Sequence, residues 1–183
     1  MKIKELFFPN SNTKTGIFSI TPVTMKDERG FFAEVFRKDI LSEYNICTDF
    51  VQENLSYSYK DVLRGLHYQS EPGQAKLISV VKGIILDVVV DIRPESETYK
   101  KWLAYQVSSN LKNQIFIPIG FAHGFLTLSQ TALVSYKVSS YYNKDTERTI
   151  KWDDPSINID WPIKNPILSE RDQKGEFIDE LIR

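Results

Sequence analysis

The sequence has few of the residues that mark several protein classes. Its 183 residues include one cysteine, Cys47, and two histidines, and the formal net charge is −1. A single cysteine excludes an intramolecular disulfide and is typical of proteins kept in a reducing cytoplasm. A charge near zero provides no overall basic field for nucleic acid or an anionic membrane. We therefore expect no nucleic-acid or membrane partner, and any anionic ligand must be held by local arginines and lysines.

Long apolar runs are also lacking. The opening MKIKELFFPN has no apolar segment long enough for a signal peptide. The most apolar run, IILDVVVDI, is interrupted by Asp87 and Asp91 and is too short to span a bilayer. No repeat, low-complexity tract or linker divides the chain, whose length fits about one domain. The sequence thus predicts a soluble, cytoplasmic protein with a single domain over residues 1–183.

The sequence is rich in the alternation of apolar and polar residues that is typical of β-strands. In LISVVKGIILDVVVDI two apolar runs flank Lys82-Gly83, which predicts a tight turn between strands. IFIPIGFAHGFLTLS and TALVSYKVSSYY predict further strands. Helix signals are short, with one or two turns in DILSEYN and a helix start at Ser169 in SERDQKGEF. Many short strands with few helices indicate an all-β sandwich or barrel.

Two polar side chains are predicted to point toward the interior of this fold. A regular pleat puts Tyr136 on the apolar face of TALVSYKVSS, and it puts Lys76 on the same face as Ile78. Each has a structural alternative. A buried tyrosine is often a packed aromatic, and a lysine can extend its ammonium to the rim.

VLRGLHYQS, residues 62–70, adds His67 to this interior. On a regular strand Arg64 would point the opposite way, so both can meet one ligand only if the strand bulges or ends near Gly65. An isolated inward histidine is more often structural than catalytic. A histidine, a tyrosine and a lysine directed into one interior favour a binding site, because unpaired buried polar groups cost roughly 1–3 kcal/mol each.

A metal site is a weaker interpretation of the same residues. Zinc and non-haem iron usually take about three nitrogen, oxygen or sulfur ligands from the protein. The chain has His67-Tyr68-Gln69 where a His-x-His pair would be needed, and the other histidine is His123. A two-histidine site completed by carboxylates stays open as an alternative, but the sequence predicts neither a metal nor a cofactor.

Five short motifs, in their order along the chain, resemble one family. PIGFAH, residues 118–123, resembles the Pro-x-Gly-x-x-His signature of cupin jelly-roll barrels. RGLHYQ, DVVVDIR, IPIGFAHGF, KWDDP and LSERD resemble the dTDP-4-dehydrorhamnose 3,5-epimerases, which are metal-free cupins of sugar-nucleotide metabolism. The resemblance extends from DERGFFAEVF to LSERD. It implies a cupin-type double-stranded β-helix (jelly-roll barrel) with a few short helices, a C-terminal helical segment and a homodimeric assembly.

The resemblance also implies a reaction, with dTDP-4-dehydro-6-deoxy-D-glucose as substrate. The family inverts C3 and C5 of a 4-keto-6-deoxyhexose linked to dTDP, and both carbons lie α to the ketone. Enolate chemistry requires a base on one face of the sugar, an acid on the other face and a cation near the oxygen. By motif match His67 is the base, Asp172 orients it and Tyr136 is the acid. Lys76, helped by Arg64, would stabilise the enolate oxygen.

Asp172 has a structural alternative as well. It stands at capping-box spacing from Ser169, and a carboxylate in a first helical turn is favoured by the helix dipole. Only its proximity to His67 would separate the two interpretations.

The other matched positions would bind substrate. They are Arg29, Phe32 and Glu34 in RGFFAEVF, Gln52 and Asn54 in QENLS, and Arg64, His123, Tyr142, Glu147 and Arg171. RGFFAEVF is expected to reach the substrate across the dimer interface, and Tyr142 to stack on thymine. An arginine suits a diphosphate because its planar fork donates two hydrogen bonds. For Glu147 and Arg171 a solvated surface is the alternative.

Other functions stay open at this level. The chain could be a 3-epimerase or a 5-epimerase of a related nucleotide sugar, or a non-catalytic cupin that binds nucleotide sugars. A ketoisomerase is disfavoured, because the related ketoisomerases carry a His-x-His pair where this chain has His67-Tyr68-Gln69.

Overall fold

The computed structural model describes residues 1–46 and 49–182, so Cys47 lies outside the described residues. Most of the regular structure is β, as predicted. The elements are β1 (Lys2–Glu5), β2 (Phe18–Thr21), β3 (Thr24–Asp27), β4 (Gly30–Ala33), α1 (Lys38–Ser42), β5 (Gln52–Tyr59), β6 (Leu63–Gln69), β7 (Lys76–Lys82), β8 (Ile84–Asp91), β9 (Trp102–Ser108), β10 (Gln114–Ile117), β11 (Phe121–Thr127), β12 (Thr131–Val138), β13 (Glu147–Thr149), α2 (Glu170–Gln173) and α3 (Ile178–Leu181). In this part of the chain no helix has the length and apolar character needed to cross a bilayer.

Two antiparallel sheets form the body of the fold. The larger has the order β1-β2-β10-β7-β12-β5, the smaller has the order β13-β6-β11-β8-β9, and β3 and β4 form a separate hairpin. The all-β, jelly-roll prediction is confirmed, although the two sheets stay open instead of closing into one barrel. The chain does change direction at the predicted place, but not in a tight turn between paired strands: Lys82 is the last residue of β7, Gly83 alone separates it from β8, and the two strands lie in different sheets.

An apolar core fills part of the space between the sheets. Ile78 and Val134 from the larger sheet meet Val89 and Phe125 from the smaller one in a single cluster. Tyr136 packs against the edge of this cluster. Because these residues alternate with outward-facing positions along their strands, the period-2 pattern puts both apolar faces in contact.

The C-terminal segment covers the outer face of the smaller sheet. Val88 and Val90 of β8 join a second cluster that contains Trp161 and Ile178. Both faces of β8 are therefore buried, which explains its almost continuous apolar sequence. The same packing brings α2 against β6, with the Leu63 amide donating to the Ile167 carbonyl at 3.0 Å.

The distortion predicted near Gly65 is present in β6. The register between β6 and β11 shifts between His67 and Arg64, which gives β6 an extra residue. Gly65 has φ +122°, and a Cβ there would lie 2.5 Å from Gly124 Cα, so this close approach requires glycine. As a result His67 and Arg64 line the same cavity instead of pointing in opposite directions.

Candidate active site

A cavity of about 420 Å³ lies between the two sheets, next to the apolar core. It is lined by all four residues that the resemblance assigns to catalysis and by seven of those assigned to substrate binding. These are His67, Lys76, Tyr136, Asp172, Gln52, Asn54, Arg64, His123, Tyr142, Glu147 and Arg171.

The predicted base and its orienting carboxylate are in contact. His67 Nε2 lies 2.6 Å from Asp172 Oδ1, although 105 positions separate the residues in sequence. Asp172 is buried, and its Oδ2 accepts a hydrogen bond from Ser169 Oγ at 2.9 Å. An ionised carboxylate only accepts, so Nε2 carries the proton and Nδ1 is left as the basic atom of a neutral ring.

The capping interpretation of Asp172 holds for its backbone, whereas its carboxylate takes no part in a capping box. Ser169 is the N-cap of α2 and its Oγ accepts a hydrogen bond from the Asp172 amide at 3.1 Å. The backbone of residue 172 therefore serves the helix cap while its side chain serves His67. The cap holds the carboxylate in place for the imidazole.

Burial and pairing set the protonation states of this dyad. Burial lowers the pKa of His67, and it outweighs the contact with Asp172, which works in the opposite direction. For Asp172, burial favours a higher pKa, but the hydrogen bond from His67 and the contacts with Ser169 and Arg171 prevail and lower it. The imidazole is therefore neutral and the carboxylate ionised near neutral pH.

Arg171 lies against the imidazole of His67. Its Nη2 is 2.8 Å from Nε2 and 3.3 Å from Nδ1. A nitrogen in the ring plane at those two distances would collide with the carbon between the ring nitrogens, so the guanidinium lies over the ring face. Arg171 also pairs with Glu147, and its side chain is 48% exposed. Both residues line the cavity, while the Arg171 side chain also remains in contact with solvent.

Lys76 and Tyr136 approach the cavity from the larger sheet, opposite His67. Lys76 is buried and its Nζ donates to the His67 carbonyl at 3.2 Å, so the rim alternative is wrong. Burial lowers the pKa of Lys76 to about 8, against the attraction of Glu147 and Asp87. Burial and the nearby Glu147 raise the pKa of Tyr136, which keeps its phenol protonated. The cavity thus combines a neutral imidazole base, a protonated phenol and an ammonium group whose pKa is lowered to about 8.

Sequence reasoning missed a second histidine–carboxylate pair. His123 Nε2 lies 2.8 Å from Asp87 Oδ2, and Asp87 is fully buried. Burial raises the pKa of Asp87, while His123 works in the opposite direction. Asp87 Oδ1 has no hydrogen-bond partner among the described residues. The signal was the acidic residue inside the apolar run of β8, which had only been used to exclude a membrane span.

The cavity wall holds further polar groups to which the sequence analysis assigned no role in substrate binding. Ser56, Gln74 and Ser169 line it. Ser56 Oγ is buried and has no hydrogen-bond partner within residues 1–46 and 49–182. An unpaired hydroxyl at a polar cavity is suited to a ligand oxygen.

The three predicted binding residues of RGFFAEVF do not line this cavity. Arg29 lies at the turn of the β3–β4 hairpin and pairs with Asp27, with its side chain 90% exposed. Phe32 on β4 is 64% exposed, and Glu34 lies 3.8 Å from Arg37. In this chain the hairpin is separate from both sheets.

The donor groups at the site are arranged in pairs. Over the described ranges, no three His, Cys, Asp or Glu side chains form a group that could hold a metal ion. His67 and His123 each direct Nε2 to a separate carboxylate. Each pair places an imidazole beside a carboxylate, an arrangement suited to proton transfer.

Comparison with known proteins gives consistent results. The dTDP-4-dehydrorhamnose 3,5-epimerase family profile matches residues 13–180. The dTDP-4-dehydrorhamnose 3,5-epimerase of Shigella flexneri is 49% identical over 161 residues, which are 86% of this chain and 89% of that protein. The enzyme of the same name from Methanothermobacter thermautotrophicus is 45% identical over 90% of this chain and 91% of its own.

A solved structure with similar architecture contains a sugar nucleotide. It is the dTDP-6-deoxy-D-glucose-3,5-epimerase RmlC of Legionella pneumophila Philadelphia 1 in complex with dTDP-4-keto-L-rhamnose. It matches with a TM-score of 0.89 and 40% identity, over 97% of this chain and 94% of that one.

Proposed function

The chain belongs to the dTDP-4-dehydrorhamnose 3,5-epimerase family, and on that premise we propose that it converts dTDP-4-dehydro-6-deoxy-D-glucose to dTDP-4-dehydro-L-rhamnose. The reaction inverts C3 and C5 and supplies dTDP-L-rhamnose synthesis. The observation that carries the proposal is the 2.6 Å contact between His67 Nε2 and Asp172 Oδ1 beside the cavity that Tyr136 also lines.

In the proposed mechanism His67 removes the proton from a carbon next to the ketone. The electron pair of the C–H bond forms the carbon–carbon double bond of the enolate, the π pair of the C=O bond moves to the oxygen, and the buried ammonium of Lys76 stabilises the resulting negative charge. Tyr136 then donates its proton to the opposite face of the carbon. The imidazolium and the phenolate return to their starting states by exchange with solvent, and the cycle is repeated at the second carbon.

Polar and aromatic groups around the cavity are suited to binding the nucleotide part of the substrate. Arg171 adds positive charge to the cavity of a chain of net charge −1, as expected for binding a diphosphate, whereas Arg64 is proposed to help Lys76 stabilise the enolate oxygen. The ring of Tyr142 is 53% exposed at this cavity, which suits stacking on thymine. His123, Gln52, Asn54 and Glu147 are proposed to bind the sugar and base.

Turnover in D2O tests the proposal. Wild-type protein should introduce deuterium at C3 and C5, and His67→Ala should introduce none at either carbon. Tyr68→Phe is the matched control because Tyr68 is the next residue of β6 and its side chain joins the cluster on the outer face. Sugar that stays unlabelled with wild type after long incubation would refute the proposal and would favour a binding protein. Label at one carbon alone would instead identify a 3-epimerase or a 5-epimerase.

We also propose that the protein is a homodimer in which the hairpin of one protomer completes the cavity of its partner. Support comes from β5, an edge strand of the larger sheet with Leu55, Tyr57 and Tyr59 exposed, and from the exposed Phe32 on the hairpin. Exposed apolar edges of this kind are typical of interfaces. Light scattering should give twice the chain mass, and Arg29→Ala should weaken dTDP binding. A monomer that turns over normally would contradict the assembly.

Two coarser proposals complete this picture. A cytoplasmic location is supported by the presence of one cysteine in 183 residues. A single cupin-type domain over residues 1–183 is supported by the core cluster that both sheets share. One cooperative unfolding transition, with coincident fluorescence and circular dichroism curves, is expected for such a domain.

A further inference from the structure

The side-chain amide of Gln69, the last residue of β6, forms hydrogen bonds with four other residues. It is buried, with 7% of its surface exposed. The two N–H groups of its Nε2 face three acceptors, the Pro72 carbonyl at 3.0 Å, Ser140 Oγ at 3.1 Å and the Tyr141 carbonyl at 3.3 Å, so one N–H is shared between two of them. Its Oε1 accepts from the Asn143 amide at 3.0 Å. The mechanism above makes no use of this side chain.

The amide of Gln69 joins two loops at the cavity mouth. We call residues 139–146 the mouth loop; it links β12 in the larger sheet to β13 in the smaller sheet and carries Tyr142. Residues 70–75 form the adjacent loop, which carries Gln74. Pro72 belongs to the adjacent loop, and the three other partners of Gln69 belong to the mouth loop.

We call the hydrogen bonds of Gln69 to the two loops the clamp. Two further hydrogen bonds hold the backbone around Tyr142 next to it. The Tyr142 amide donates to Gln52 Oε1 at 3.0 Å, and Gln74 Nε2 donates to the Ser140 carbonyl at 2.9 Å. Gln69 is also the strand partner of Glu147, the first residue after the mouth loop. The position of the Tyr142 ring therefore depends on a loop fixed to the strand that carries His67.

We propose that Gln69 is a positioning residue for the nucleotide end of the substrate. Its amide holds the mouth loop so that the Tyr142 ring is already in place when the thymine base arrives, which lowers the entropy cost of binding. The inference rests on the proposed function and deepens it. Because Gln69 acts through Tyr142 and does not touch the reacting carbons, its loss affects substrate binding and leaves the proton-transfer steps unchanged.

Gln69→Met removes the amide and keeps the side chain's length. The expected result is a rise of about tenfold in KM and in the Kd for dTDP, with kcat within about twofold of wild type. Gln114→Met is the matched control, since Gln114 is also buried, lies on β10 away from the cavity and donates to Ser79 Oγ. It should leave KM, kcat and Kd unchanged.

A double-mutant cycle separates positioning from a general structural role. If Gln69 acts through the Tyr142 ring, then Gln69→Met should weaken dTDP binding in the wild-type background and have no further effect in the Tyr142→Ala background. Equal effects in both backgrounds would overturn the proposal, as would an unchanged Kd for Gln69→Met. Binding of dTDP requires no turnover, so a wild-type protein that binds dTDP but exchanges no deuterium would refute the epimerase and leave this cycle valid.

Hydrogen exchange tests the clamp in the wild-type protein, so the result does not depend on whether a variant folds. The Asn143 amide donates to a buried acceptor, so it should exchange as slowly as the amides of β6. Exchange at the rate of an exposed loop amide would contradict the clamp.

Discussion

Replacement of Asp172 by asparagine is the most informative test of the catalytic geometry. The change keeps the size of the side chain. It also keeps the cap of α2, because that cap uses the backbone N–H of residue 172. What is lost is the negative charge 2.6 Å from His67 Nε2. The effect on catalysis can therefore be separated from an effect on folding.

The magnitude follows from the burial of the pair. Asp172 is 3% exposed, so water does little to screen its interaction with the imidazolium that forms when the sugar loses a proton. A hydrogen bond to a charged group contributes about 1.5–3 kcal/mol, which corresponds to a loss of about 10-fold to 150-fold in kcat. An asparagine that donates to Nε2 would also move the ring proton to Nδ1 and lower the rate further.

The pH dependence gives a second, directional result. Burial lowers the pKa of His67, and the negative charge of Asp172 opposes that effect. The Asp172→Asn substitution removes the charge, so the pKa of His67 should be lower in the variant than in the wild type. Because the neutral imidazole is the active form, the acid limb of kcat/KM should move to lower pH even as the maximum rate falls. Initial rates by NMR across pH measure both quantities. Asp153→Asn is the control, since Asp153 is exposed and does not line the cavity. A rate for Asp172→Asn within about twofold of wild type would refute the role assigned to the dyad.

Further predictions follow from the same geometry. Wild-type kcat/KM should be bell-shaped in pH: activity falls on the acid side as His67 becomes protonated, at a pH below the ordinary range of imidazole because burial lowers the His67 pKa, and it falls above about 8 as the Lys76 ammonium loses its proton, so a flat profile would contradict both assignments. Tyr136→Phe should lower epimerisation by about 10²- to 10⁴-fold while His67 still exchanges substrate hydrogen for deuterium with retention, and NMR that shows inverted product at the wild-type rate would exclude Tyr136 as the acid. Leu126→Ala, in the outer cluster, should lower the free energy of unfolding in urea by about 2–5 kcal/mol, whereas Leu111→Ala at an exposed site should change it by less than about 0.5 kcal/mol.

Most of the strand pattern could be predicted because it is local. Apolar residues two apart share a face, so Lys76 and Tyr136 could be placed inside without a structure. The bulge at Gly65 could be expected, since only a distortion there lets Arg64 and His67 meet one ligand. The alternation could not reveal that β7 and β8, on either side of Gly83, belong to different sheets. Each strand has the same apolar pattern whether it pairs with the other strand or not.

The contacts between distant segments could not be read from local pattern. The spacing of Ser169 and Asp172 indicated a helix start, but whether the carboxylate reaches His67 depends on the packing of the C-terminal segment against the smaller sheet. Asp87 looked like an interruption of an apolar run, and only the register of β8 with β11 reveals it as the partner of His123. Gln69 was the last residue of the RGLHYQ motif and had no role assigned to it.

The sequence by itself determined the all-β class, the inward faces and, through its ordered motifs, the family, because these depend on residues close together in the chain. Tertiary structure alone decided that Asp172 meets His67, that Arg171 lies over its ring and that Gln69 joins two loops. Those contacts join segments up to 105 positions apart, and their geometry exists only after both sheets and the C-terminal segment have packed.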